Sequence, residues 1–127
     1  MIGTIARVLA AGVLVLVAVA GPASARETSV VARGTCSGDS HWRLALVTDG
    51  EKIGAGYRVD APVPGELWRV RVLHDGYTVF AGRRIATEPD GIFGVRVAMR
   101  NLRGPDVVRA RALNTETGEV CRGHAVI

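Results

Sequence analysis

The sequence predicts an all-β fold: an antiparallel β-sandwich, immunoglobulin-like in architecture, of about seven or eight strands behind an N-terminal export segment. Three observations carry this expectation. Apolar and polar residues alternate with period two along most of the chain after residue 27. Turn-forming pairs, Asp49-Gly50 and Asp75-Gly76 among them, break the alternation at short intervals. The only two cysteines, Cys36 and Cys121, stand near the two ends of the alternating region. Period two is the signature of strands with one buried face, and short strands recurring every 8–12 residues or so suggest a sandwich or barrel.

The export segment comes first in the chain. Met1 to Arg7 carries one positive charge, Val8 to Ala20 is a run of Val, Leu, Ala and Gly, and Gly21-Pro22 ends it. Ala23-Ser24-Ala25 follows as a small-x-small site. This is the charged, apolar and cleavable layout of a secretory signal peptide, so residues 1–25 are expected to be removed and residues 26–127 to form the secreted domain. The alternative is an uncleaved anchor, but a span needs about 20 apolar residues, and here Gly21-Pro22 interrupts the run. No membrane span is expected after cleavage, and no cysteine at the cleavage site offers a lipid anchor.

The strands follow in order. Thr28 to Cys36 is the first. His41 to Val47 sets Trp42, Leu44 and Leu46 against Arg43, and Ile53 to Val59 sets Ile53, Ala55, Tyr57 and Val59 against Arg58. Leu67 to Leu73 alternates Trp68, Val70 and Val72 with Arg69 and Arg71. Tyr77 to Ala81 is less regular. Phe93 to Arg100 alternates Phe93, Val95, Val97 and Met99 with Arg96 and Arg100, and Val107 to Leu113 sets Val108, Ala110 and Ala112 against Arg109 and Arg111. Val120 to Ile127 closes the chain. Both tryptophans are expected in the core. Gly54-Ala55-Gly56 interrupts a strand pattern and suggests a bulge.

Cys36 and Cys121 are expected to form a disulfide, because export delivers them to an oxidising compartment. The bridge closes a loop of about 86 residues, for which chain-entropy arithmetic gives about 4–5 kcal/mol. The terminal strands must then be neighbours or face each other across the core. This is not the true immunoglobulin pattern, in which the Trp lies between well-separated cysteines; here Trp42 follows Cys36 closely.

Catalytic patterns are weak. His41, His74 and His124 fall in no metal-binding spacing and are expected at the surface or rim; no metal and no cofactor are expected. Ser37-Gly38-Asp39-Ser40-His41 contains the residue types of a hydrolytic triad, but triads are normally assembled from distant segments, and a polar turn is the better account. No GxSxG, paired carboxylates, nucleotide loop or Asn-x-Ser/Thr sequon occurs.

Charge is distributed unevenly. The formal net charge is +4. Arg43, Arg58, Arg69, Arg71, Arg96, Arg100, Arg109 and Arg111 fall at outward strand positions, whereas the acids fall mostly in turns. Arg69, Arg71, Arg96, Arg109 and Arg111 are therefore candidates to hold a polyanion such as a cell-wall polymer, or an acidic protein. The competing account is a solvated sheet face, where arginine stems cover apolar surface. Aromatic residues are few and committed to the core, so no nucleic acid is expected.

Thr35-Cys36-Ser37-Gly38, Trp42-Arg43-Leu44, Trp68-Arg69-Val70-Arg71 and Thr117-Gly118-Glu119-Val120-Cys121-Arg122-Gly123 together resemble a group of small secreted actinobacterial proteins of unknown function. The resemblance spans nearly all of residues 33–127 and implies no activity. A single lysine, Lys52, among many arginines fits a GC-rich bacterial source. The function expected is non-catalytic binding at the cell exterior or envelope. A structural, envelope-associated role without a discrete ligand is the alternative, and an enzyme ranks third.

Overall fold

The computed structural model describes residues 28–127, together with Gly3, Val13 and Val15. The expected signal peptide otherwise lies outside the described residues. Among the described residues no helix is long and apolar enough to cross a membrane.

Eight strands form: β1 (Thr28–Thr35), β2 (His41–Thr48), β3 (Lys52–Asp60), β4 (Leu67–His74), β5 (Tyr77–Ile85), β6 (Ile92–Arg100), β7 (Val107–Asn114) and β8 (Val120–Val126). They make two antiparallel sheets of four, ordered β1-β2-β3-β6 and β5-β4-β7-β8. The expected β-sandwich is thus the fold.

The Asp-Gly pairs make the turns they predict. At Asp75-Gly76 both residues have positive φ, 47° and 86°, as a two-residue type I′ hairpin demands, and His74 pairs directly with Tyr77. The bulge lies elsewhere than expected. β3 pairs with β2 and β6 without a break, and Gly54 and Gly56 stay in register on its outer face. A one-residue slip there would turn Ile53 or Tyr57 and Val59 away from the core, so the buried set holds the register. The irregularity falls between Val72 and Leu73, opposite Phe80 and Thr78, and leaves Val79 as the extra residue. β5 also runs four residues beyond its expected end, to Ile85.

The inward residues of both sheets interdigitate. Leu44, Leu46, Ile53 and Val59 from one sheet meet Trp68, Val72, Val108 and Ala112 from the other, all fully buried. Trp68 packs against Phe93 across the core, ring centroids 5.2 Å apart. Each such aliphatic or aromatic side chain contributes about 1.5–3 kcal/mol by leaving water. Trp42 corrects the expectation in part. It is only half-buried, lying at the margin between β1 and β8, where Gly34 and Gly123 leave room for its indole. A Cβ on Gly34 would come within 2.7 Å of that ring.

The two long edges of the sandwich are closed differently. On one, β8 packs against β1 and β2, and the Cys36–Cys121 disulfide joins them with Cα atoms 4.3 Å apart. On the other, β5 meets β6. There the Arg84 guanidinium lies 5.0 Å from the Phe80 ring centroid and donates from Nε to the Gly94 carbonyl oxygen at 3.3 Å.

Candidate anion-binding face

The inward positions of β4, β7 and β8 are buried, so period two sends the arginines of these strands outward, and Arg83 of β5 with them, whereas Arg84, paired with Trp68, turns to the β5–β6 edge. β4 contributes Arg69 and Arg71, β5 Arg83, β7 Arg109 and Arg111, and β8 Arg122. All six are exposed. The pairing register then places like charges directly opposite one another. Arg69 faces Arg83 across β4 and β5, Arg71 faces Arg111 across β4 and β7, and Arg111 faces Arg122 across β7 and β8. Arg109 lies between Leu73 and His124.

No strand of this sheet contains an Asp or Glu, and none of the six arginines belongs to an ion pair among the described residues. Directly opposed like charges destabilise a sheet by a few tenths of a kcal/mol to about 1 kcal/mol per pair. Among the described residues, Arg71 alone of the six has a side-chain hydrogen-bond partner: Nε and one terminal nitrogen donate to Thr78 Oγ1 at 3.0 and 2.8 Å. Between the guanidiniums of Arg69, Arg71, Arg83 and Arg111 runs a shallow groove of about 450 Å³ with Leu73, Ala81 and Leu113 on its floor. The face thus offers fork-shaped donors around a strip of apolar surface.

Four of the five candidate arginines come together here: Arg69, Arg71, Arg109 and Arg111. Arg96 does not. It stands on β6, on the outer face of the opposite sheet, because β6 pairs with β3 rather than with β4. Arg83 and Arg122 were missed from the sequence. Extending the Tyr77–Ala81 alternation by two residues would have found Arg83, and the flanking pair Cys121 and Gly123 marks Arg122 as outward.

The Ser37–His41 segment is a latched loop. Glu119 Oε2 accepts from the backbone N–H groups of Gly38 and Ser40 at 2.9 and 3.0 Å, and Oε1 accepts from the Ser40 hydroxyl at 2.7 Å. The Ser37 hydroxyl accepts from the Val120 N–H at 2.9 Å. The loop is therefore tied to β8 beside the disulfide, and the buried Ser40 hydroxyl is used structurally.

His74 corrects the expectation of a surface histidine. It is buried, with Nε2 2.7 Å from Asp106 Oδ1 and 3.6 Å from Asp75 Oδ2. These three residues bring ligand-type atoms within 4.8 Å of one another. One oxygen of each carboxylate is engaged by backbone: Asp106 Oδ1 also takes the Leu102 N–H, and Asp75 Oδ1 takes the Val107 N–H. The group fastens the β4–β5 turn to the loop before β7. Sequence spacing gave no sign of it, since His74 and Asp106 lie 32 residues apart.

Fold and face define a disulfide-bridged β-sandwich with an arginine-bearing sheet. No protein-family model matches the chain, and no curated protein or solved structure matches it.

Proposed function

We propose that the chain is an exported, non-catalytic binding domain that holds a linear polyanion, such as an anionic cell-wall polymer, on the outer face of β5-β4-β7-β8. The observation that carries this reading is the row of directly opposed arginines, Arg71, Arg111 and Arg122, on a sheet without a carboxylate. A sheet face that served only solubility could alternate signs at no cost, whereas this one keeps like charges opposed. Arginine also suits the task. Its planar fork binds phosphate or carboxylate oxygens two at a time, which a lysine ammonium does not. Export is supported by the layout of residues 1–25 and by the Cys36–Cys121 bridge, since disulfides persist in oxidising compartments.

Retention on immobilised heparin or polyphosphate under a salt gradient tests the reading. Arg111→Glu should elute at clearly lower salt than Arg103→Glu, which makes the same charge change in a loop. Equal elution of the two would reduce the face to a share of the net charge and overturn the proposal.

A further inference from the structure

We infer that the outer face of the other sheet, β1-β2-β3-β6, is a second polyanion site, so that one domain cross-links two polymer chains. This rests on the proposed function and extends it from one face to two.

The second face is built on the same plan by different strands. Arg33, Arg43 and Arg58 are register partners on three successive strands: Arg33 faces Arg43 across β1 and β2, and Arg43 faces Arg58 across β2 and β3. Strands in a sheet lie about 4.8 Å apart, so the row spans roughly 10 Å across the strand direction. Arg96 stands one step along, opposite Gly56. Among the described residues only Arg58 of these four has a carboxylate partner, Asp60 two residues on, at 2.8 Å with both side chains about half exposed. Such an exposed pair contributes at most about 1 kcal/mol, and Arg58 can exchange it for a ligand anion.

The floor beside this row is low. Ala45, Gly54, Gly56 and Ala98 line a shallow depression of about 610 Å³ with Arg43 and Arg96 at its side. A Cβ added to Gly56 would meet nothing within 4 Å. A polymer backbone can therefore approach the sheet closely there, the use to which strand glycines are often put.

The two faces point in opposite directions, with two sheets about 10 Å apart between them. At one end of the sandwich lie the loops 36–40, 61–66, 86–91 and 115–119. They hold Asp39, Glu66, Glu88, Asp90, Glu116 and Glu119 and no Lys or Arg. A polyanion on one face is repelled from passing over that end to the other. This favours separate chains on separate faces.

A sandwich assay tests this with the exported protein. Protein is loaded on immobilised long-chain polyphosphate, washed, and exposed to fluorescent soluble polyphosphate, with polyglutamate in a parallel arm to separate phosphate from carboxylate binding. The parent should bind the surface and capture the labelled chain. Arg33→Glu with Arg43→Glu, and separately Arg69→Glu with Arg71→Glu, should each still bind the surface but capture at least tenfold less. The corresponding Arg→Gln pairs, checked by thermal unfolding, guard against loss of fold. A parent that binds the surface and captures no second chain overturns the cross-linking inference alone. A parent that does not bind the surface overturns the proposed function with it.

Discussion

The Tyr57 hydroxyl donates a hydrogen bond of 3.0 Å to the carbonyl oxygen of Cys121, reaching from β3 across the core to β8. The two sheets are thus joined at one place both covalently, by Cys36–Cys121, and by a buried phenol. Burial raises the Tyr57 pKa far above the usual tyrosine range, because the phenolate would lose its hydration. The neutral form is the one that the fold favours. Its contribution is fully present below the ordinary tyrosine value of about 10 and is lost as pH rises beyond it. A Tyr77→Phe variant leaves Tyr57 as the one tyrosine to follow in a spectrophotometric titration. Tyr57 should ionise only together with loss of the folded circular dichroism signal. Phenolate absorbance that appears while this signal persists would contradict the burial of Tyr57.

Cys36→Ala with Cys121→Ala should destabilise the domain by about 2–5 kcal/mol, since the bridge constrains a long loop in the unfolded chain. The bridge is intramolecular, so the non-reduced protein should run as a monomer and gain two protons in mass on reduction. An unchanged melting temperature would remove its structural role.

Trp68 and Trp42 should report differently on solvent. Trp68 has no exposed surface and Trp42 is half-buried at the β1–β8 margin. Iodide should quench part of the tryptophan fluorescence, and Trp42→Phe should abolish that accessible part. Trp68→Ala should cost about 3–5 kcal/mol. Trp68→Phe should cost much less, because the Trp68 indole N–H has no hydrogen-bond partner to lose.

Glu119→Gln should loosen the 36–40 loop. The carboxylate accepts three hydrogen bonds, two of them from backbone N–H groups, and bonds to a charged acceptor contribute about 1.5–3 kcal/mol each before solvent exposure reduces them. Hydrogen exchange at the Gly38 and Ser40 amides should accelerate while the β4 amides stay protected. Unchanged exchange at Gly38 and Ser40 would show that the latch does not hold them.

Arg111→Gln should weaken polyanion binding and yet stabilise the fold. It removes a charge opposed by Arg71 on one side and Arg122 on the other, which gives a gain of roughly 0.2–1 kcal/mol per relieved pair. The gain should vanish near 1 M salt, where the Debye length is about 3 Å. Thermal melts at low and high salt measure both. A loss of stability at low salt would mean that the opposed arginines do not repel as placed.

By itself the sequence determined the strands, the main hairpin turns and the pairing of its only two cysteines. These are local or combinatorial matters. A period of two needs only neighbouring residues to be read, Asp-Gly accepts positive φ wherever it stands, and two cysteines allow one intramolecular pairing. Which arginines share a face was decided by the tertiary structure. Alternation fixes that Arg71 and Arg96 point outward, but not which sheet each belongs to. That depends on β6 pairing with β3 and β7 with β4, and hence on long-range packing of the core. The same holds for His74, whose burial follows from the distant Asp106, and for Trp42, whose half-buried position depends on Gly34 and Gly123 from strands of different sheets. Local pattern specifies the direction of a side chain, and only the folded chain supplies its neighbours.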